Sequence, residues 1–394
     1  MNILIYSKWF FPVPGGVQTV VKELAAGLVT QHSTDKGDQI NVIVVTGTAR
    51  AGLREEAYSF ELVRRPGLLR FIRLMRKADI VHLAGPAFWP LIIALVLTKP
   101  VVIEHHGFQA VCPNGLLLFE PTESQCPGHF MAAEYKKCFQ CNRASAGSTR
   151  SLVWLLATPM RRFLSNRATA NVAPTDWLGK ILGLNRTTTI HHGVADMPQL
   201  TGETCNSTFA FQGRLVSSKG VRVLLSAAKR LAAEGYEFRI KIIGDGAELD
   251  GLKVDAAGLG GRIEFLGHLP QSDLDNALSD VRTIVMPSLG GEVFGLVAAE
   301  NMARGKMLIV SRIGALEEVV GNTGLVCEAG KAEDLAARMR ETLGAPERTR
   351  LLGIAARDRA QSLFTSARMI GEHVRLYEGI LNRTHKQPRK SGGA

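Results

Sequence analysis

The feature that most constrains the fold is an alternation that occurs twice along the chain. Short apolar, largely β-branched runs alternate with longer segments of helical period. Asn2–Ser7 reads NILIYS, and a Gly/Pro-rich loop follows at Pro12-Val13-Pro14-Gly15-Gly16. Val17–Val29 then places Val17, Val20, Val21, Leu24, Ala25 and Leu28 on one helical face. Ile40–Val45, Ile80–Leu83, Val101–Ile103 and Ala170–Val172 repeat the strand pattern. The second half repeats the alternation. Its strands are expected at Thr208–Gln212, Arg239–Ile243, Ile263–Leu266, Thr283–Met286 and Met307–Val310. Its helices are expected at Val221–Glu234, Ala247–Ala256, Ser272–Ser279, Leu296–Ala303, Leu316–Val320 and Ala332–Leu343. Strands this apolar must be covered on both faces, which a parallel sheet between helices achieves. The expectation is an α/β protein of two Rossmann-like, doubly wound parallel-sheet domains facing a central cleft, where ligands of such pairs bind.

The break between the halves is expected within Thr187–Thr208, where Gly193, Pro198, Gly202 and the polar stretch Glu203–Ser207 interrupt both periods. The expected division is 1–196, carrying an insertion at 108–143, and 197–365. A C-terminal helix at 366–382 is expected to pack back on the first domain, followed by a basic, disordered tail at 383–394. At 394 residues, 46% of them hydrophobic, the chain can bury two cores without covalent staples. Six cysteines are too sparse for a disulfide scaffold. The longest apolar run, Phe88–Leu97 with Val101–Ile103, is broken by Lys99 and Pro100 and falls short of the roughly 20 residues of a membrane span. The first residues, MNILIYSKWF, have no basic n-region, so the expectation is a cytoplasmic chain with reduced thiols.

Charge is unevenly placed. Residues 1–196 hold 21 Lys/Arg against 13 Asp/Glu, whereas 197–381 hold 22 against 23. From Tyr135 to Thr175 there are seven basic residues and no acidic one. Arg70, Arg73, Arg76 and Lys77 recur at helical spacing among Leu68, Leu69, Phe71, Ile72, Leu74 and Met75. A basic half suits an anionic surface. With no nucleic-acid-binding signature and only 6% aromatic residues, an anionic membrane at its inner face is favoured over nucleic acid. A solvated basic face is the alternative.

Two stretches carry chemistry. In Pro287–Gly305, PSLGGEVFGLVAAENMARG, a glycine loop opens a helix, and backbone N–H groups there form an anion site. Glu292 lies in that loop, and Glu300 follows eight residues later, about two turns up the helix. Carboxylates beside a phosphate seat suit the hydroxyls of a sugar or ribose. A capping Glu292 and a solvated Glu300 are the plainer alternative. In Phe211–Val221, FQGRLVSSKGV, Arg214 and Lys219 follow a strand and precede a helix. A guanidinium and an ammonium there would neutralise a departing diphosphate.

The chain resembles the family 4 (group 1) glycosyltransferases, which are retaining, use nucleotide-sugars and have the GT-B fold. The resemblance rests on Glu292 and Glu300 within PSxxxEVFGLxxxExMAxG, and on Gly213-Arg214-Leu215 with Lys219-Gly220. It extends to the Gly15-Gly16 loop and to Gly314 with Glu318-Val319-Val320. It implies that Arg214 and Lys219 hold the donor diphosphate, Glu292 the sugar hydroxyls and Glu300 the ribose. It implies further donor contacts from Gly15, Gly16, Gly244, Gly246, His268, Leu269, Phe294, Gly295 and Leu296, those at 294–296 through backbone. The family's first-domain histidine corresponds to His106, before Gly107, better than to His105. Catalysis is then front-face, with the leaving diphosphate assisting deprotonation of the acceptor, and no cofactor is required. The expected partners are a nucleotide-sugar (UDP or GDP) and a glycan or lipid-linked acceptor of polysaccharide or glycolipid synthesis. The sequence departs from the family's N-G-V-D linker at His192 and Ala195. The rival functions are a nucleotide-sugar epimerase or hydrolase and a silent nucleotide- or glycan-binding subunit.

Two segments remain. Cys112, Cys126, Cys138 and Cys141 are spaced C-x13-C-x11-C-x2-C, a set suited to structural zinc, with an iron–sulfur cluster or four reduced thiols as alternatives. Cys205 and Cys327 lie apart. Ser151–Arg167 offers Leu152, Leu155, Leu156 and Met160 as a core face, or Trp154, Arg161, Arg162 and Phe163 as a membrane-surface face. Pro159 is expected to interrupt any long helix there.

Overall fold

The computed structural model describes residues 1–13, 15–30, 39–49, 58–200 and 207–386. The chain forms two units. Residues up to Gly115, Ala146–Gly193 and the chain from Ser366 make the first, and Leu116–Ser145 with Val194–Thr365 make the second.

In the first unit, β1 (Asn2–Ser7), α1 (Gly16–Thr30), β2 (Asn41–Thr46), β3 (Glu61–Arg64), α2 (Leu68–Lys77), β4 (Ile80–Ala84), α3 (Phe88–Val96) and β5 (Val101–Glu104) follow one another. The chain then makes a small hairpin, β6 (Leu118–Phe119) and β7 (Ser124–Gln125), and enters the long helix α4 (Tyr135–Ser165). It returns to the sheet with β8 (Ala170–Ala173), α5 (Asp176–Leu182) and β9 (Thr187–Thr189). All neighbours in this sheet are parallel, in the order β3-β2-β1-β4-β5-β8-β9. Order reverses between β1 and β4, which makes the space beyond their carboxyl ends a switch point.

The second unit runs β10 (Thr208–Gln212), α6 (Val221–Ala233), β11 (Arg239–Ile243), α7 (Leu249–Ala256), β12 (Ile263–Gly267), α8 (Gln271–Ala277), β13 (Thr283–Met286), α9 (Leu296–Ala303), β14 (Met307–Ser311), α10 (Leu316–Val320), β15 (Leu325–Cys327), α11 (Ala332–Gly344) and α12 (Pro346–Leu363). Its sheet is β12-β11-β10-β13-β14-β15, again parallel, with its switch point between β10 and β13. Alternate residues of each strand enter opposite cores. Phe209, Phe211, Val285, Met307 and Ile309 pack on one face, and Ala210, Ile284, Met286, Leu308 and Val310 on the other. Burial on both faces is why these strands read as continuous apolar runs.

The last helix, α13 (Ser366–Lys386), belongs to the first unit and packs on α1. Gly27 permits the approach, since a Cβ there would lie 2.0 Å from Ile370 Cδ1. The helix runs four residues past its expected end at 382; residues 387–394 lie outside the described residues, as do Pro14 and Cys205.

Three local expectations change. The insertion was expected with the first half, but Leu116–Ser145 clusters with the second unit. Its hairpin is tied down by Cys141, whose thiol donates to Leu118 O at 3.4 Å and accepts from Glu120 N at 3.4 Å. Pro159 does not interrupt α4; the break falls at Gly147, whose φ of 75° lies outside the helical region. The expected core face of Ser151–Arg167 is exposed at Leu152, Leu156 and Met160, and the buried positions are Ser151, Thr158 and Ser165. The hydroxyls of Ser151 and Thr158 bond back to carbonyls four residues earlier, so their burial leaves no unmet polar group. No helix among the described residues is long and apolar enough to cross a membrane.

Candidate active site

The second unit's switch point is framed by two loops, one after β10 and one after β13. The first carries Arg214 and Lys219 and the second carries Glu292. Backbone contacts lock them together. Ser218 O accepts from Leu289 N at 2.8 Å and Gly290 N at 3.1 Å. Gly220, at φ 68°, lies where a Cβ would be 1.9 Å from Pro287 O, so only glycine allows the approach. The loop after β11 joins from the other side. Gly213 N donates to Ile243 O, and Leu215 N to Asp245 O. A Cβ on Gly244 would lie 1.8 Å from Gly213 O, and one on Gly246 would lie 2.3 Å from Leu215 O. Gly244 N in turn donates to Gly267 O, which anchors the His268-Leu269 turn.

Within this frame Lys219 Nζ pairs with Glu292 Oε1, and Ser288 Oγ donates to the same oxygen at 3.1 Å. Burial pushes the Glu292 carboxyl up. The Lys219 charge and hydrogen bond, the Ser288 hydroxyl and the Arg214 charge outweigh it and hold the carboxyl below its ordinary range. The Gly314 loop seats the backbone of Glu292, because Ala315 N donates to Glu292 O at 2.8 Å and a Cβ on Gly314 would lie 2.5 Å from Glu292 N. Arg214 is exposed. Gly295, at φ 93°, caps α9, while the Phe294 ring is buried against Phe364. Glu300 lies in α9 and is neither freely solvated nor paired as tightly as Glu292. Burial raises its carboxyl, and the charge of Arg304 opposes the rise. Glu317 pairs with Arg312 at 2.7 Å.

In the first unit, Gly15 and Gly16 open α1, with Thr19 N donating to Gly15 O at 3.1 Å. His105 and His106 end the run after β5. His105 is wholly buried, bonds Asn171 Oδ1 at 2.9 Å and is pushed by burial down to about 4. His106 keeps 6% of its side chain exposed, stacks on His192 at 5.1 Å, and is pushed by burial down to about 3, so it is a neutral imidazole. Sequence reasoning missed its neighbours. Glu104 faces His82 (3.1 Å), His192 (3.3 Å), His106 (3.6 Å) and His373 (3.9 Å). Burial opposes its charge, but the surrounding imidazoles hold its carboxyl well below the usual range. The only sequence signal was the unusual His191-His192 in the linker.

The structure does not gather the thiols of the expected zinc set. Among the described residues no three of Cys112, Cys126, Cys138 and Cys141 lie close enough to share an ion. Cys112 instead donates to Asn114 Oδ1 at 3.0 Å, and Cys141 is committed to the hairpin. The only groups of three or more ligand-type side chains that converge among the described residues are built on Glu104 and histidines.

Residues 14–196 match the Glycosyltransferase Family 4 description, and residues 198–359 match Glycosyl transferases group 1. The chain is 34% identical to the phosphatidyl-myo-inositol mannosyltransferase of Mycolicibacterium smegmatis over 149 residues, 37% of this chain and 38% of that protein. It is 36% identical to a glycogen synthase of Mycobacterium tuberculosis over 159 residues, 39% of this chain and 38% of the relative. The matched part is thus well under half of these relatives' length. Among solved structures, Anabaena HepE in complex with UDP superposes with a TM-score of 0.70 at 17% identity, covering 96% of this chain and 100% of that one. Sucrose-phosphate synthase from Thermosynechococcus elongatus gives 0.71 at 19% identity, covering 97% and 99%. The two adjoining family matches, the paired doubly wound sheets and these likenesses identify the chain as a GT-B-fold member of the family 4, group 1 glycosyltransferases.

Proposed function

We propose that this chain transfers a sugar, with retention, from a nucleoside-diphosphate donor to a glycan or lipid-linked acceptor at an anionic membrane face. The observation that carries the reading is the locked pair of loops at the β10/β13 switch point, which puts Arg214, Lys219 and Glu292 beside the N-terminus of α9. Arg214 and Lys219 offset the charge that develops on the diphosphate as the bond from the anomeric carbon to phosphate oxygen breaks. The acceptor oxygen bonds to the same face of that carbon and gives its proton to the departing phosphate. Glu292, kept ionised by Lys219, accepts hydrogen bonds from the donor sugar, and Glu300 from the ribose. The backbone at Phe294-Gly295-Leu296 and the glycine turns at Gly244 and Gly246 admit the donor closely, with His268 and Leu269 beside the base; Gly15-Gly16 of the first unit are assigned to the donor by the family resemblance alone. His106, a neutral imidazole of the first unit, is the histidine that the family resemblance assigns to the donor sugar.

The acceptor class follows from the surface of the first unit and from one relative. Helix α2 leaves Leu68 and Leu69 exposed, Leu69 by 80%, beside Arg70, Arg73 and Arg76. Helix α4 exposes Leu152, Val153, Leu156, Met160 and Phe163 with Arg161 and Arg162 half-buried among them. Such mixed basic and apolar faces dock on anionic lipid. One relative is by name a mannosyltransferase acting on phosphatidyl-myo-inositol.

The test supplies UDP- and GDP-sugars labelled in the sugar, together with a lipid extract, and follows label into the lipid phase. Transfer with retention that falls about 10²–10³-fold in Arg214→Ala and Lys219→Ala supports the proposal. Donor turnover that needs no acceptor favours an epimerase or hydrolase. Nucleotide binding without any turnover favours a silent subunit.

A further inference from the structure

We propose that the first unit holds one divalent transition-metal ion of the zinc type, bound by His82 Nε2 of β4, Glu104 Oε2 of β5 and His373 Nε2 of α13. The three side chains are completely buried, and their ligand atoms all lie within 4.8 Å of one another. Glu104 Oε2 is 3.1 Å from His82 Nε2 and 3.9 Å from His373 Nε2. Two donors on a tetrahedral zinc, each about 2.0 Å from the ion, stand about 3.3 Å apart. The two distances from Glu104 Oε2 bracket that value, and closing the set on an ion takes side-chain adjustment alone.

Hydrogen bonding fixes which atom of His373 faces inward. Met369 O can only accept, so the 2.9 Å contact makes His373 Nδ1 the donor. In neutral His373, Nε2 then carries a lone pair. That atom is buried, has no hydrogen-bond partner, and points at the Glu104 carboxylate. A lone pair directed at a buried anion is unfavourable, and a shared cation removes the conflict. His82 has the corresponding outer contact. Its Nε2 hydrogen-bonds Glu104 Oε2 at 3.1 Å and its Nδ1 lies 2.8 Å from the hydroxyl of buried Tyr377; when that hydroxyl accepts from Nδ1–H, Nε2 carries the lone pair that an ion would take. A polar partner on the outer nitrogen of each histidine is the arrangement that orients metal-bound imidazoles. The ion would tie α13 to the two central strands β4 and β5.

The test uses full-length protein without a histidine tag, stripped by chelator, exposed to Zn²⁺ or Co²⁺, desalted and measured for bound metal. The proposal predicts about one equivalent, visible absorption bands in the Co²⁺ form, and a lower melting temperature after chelation. His373→Gln and His82→Gln should abolish uptake. Tyr377→Phe should keep the fold and weaken affinity about 10–100-fold. Cys138→Ser with Cys141→Ser should leave uptake unchanged. The proposal is overturned if wild-type protein takes up no ion. It is equally overturned if uptake survives in both histidine variants, or disappears in the cysteine pair, because the ion would then be held elsewhere.

Discussion

Gly220→Ala isolates the physical basis of the donor site. Gly220 has φ 68°, and an added Cβ would sit 1.9 Å from Pro287 O. The left-handed backbone alone costs an alanine about 1–2 kcal/mol. The clash is with backbone, so the loops must separate, losing the bonds from Leu289 N and Gly290 N to Ser218 O at about 1 kcal/mol each. The combined cost is about 3–4 kcal/mol, and at about 2–4 °C per kcal/mol the second unit should melt about 10 °C lower. Gly235→Ala is the matched control, since Gly235 has φ 83° but nothing within 4 Å of its would-be Cβ. It should bear only the backbone cost, about 4 °C. Thermal unfolding by circular dichroism and calorimetric titration with UDP and GDP read both effects. Gly220→Ala should also weaken nucleotide binding at least about tenfold, since a displacement of about 1 Å at such a site is costly. Gly235→Ala should leave binding intact. Equal melting shifts in the two variants, or undiminished binding in Gly220→Ala, would refute the claim that close backbone contact builds the site.

Other outcomes follow from charge and exposure. Glu292 has a lowered carboxyl, so its contribution to stability is full above its unfolded value, about 4.3, and is lost as pH falls through the folded one. Lys219→Met removes the first force opposing burial, so acid unfolding of the second unit should begin at higher pH, seen by fluorescence. Lys306 is pushed by burial down to about 8. Its unfolded form binds more protons from there to about 10.4, so stability should rise with pH across that window and the rise should vanish in Lys306→Met. Leu68→Glu with Leu69→Glu should sharply reduce cosedimentation with anionic vesicles and leave nucleotide binding unchanged.

The sheets were legible because their strands are apolar on both faces; Thr208–Gln212, Arg239–Ile243 and Thr283–Met286 were placed to the residue. Strand β3 and the outer strands β9 and β15 were not, because Glu61–Arg64, Thr187–Thr189 and Leu325–Cys327 are short, and the first two are polar. Arg214, Lys219 and Glu292 could be singled out because each lies in a local glycine-bearing motif, and the structure brings Lys219 and Glu292 into contact. The Glu104 cluster was not, since positions 82, 104, 192 and 373 share no local pattern and only tertiary packing joins them. The cysteines show the converse: their closeness in sequence does not bring three thiols together among the described residues.

The central claim is a diphosphate seat at the β10/β13 loops, and thermal shift of the full-length protein against UDP, GDP, ADP and dTDP tests it most directly. Ligand at about 100 times its dissociation constant adds about 2.7 kcal/mol. The account predicts a clear upward shift with one nucleotide, abolished in Arg214→Ala. No shift with any of the four, or a shift that Arg214→Ala leaves intact, would contradict it.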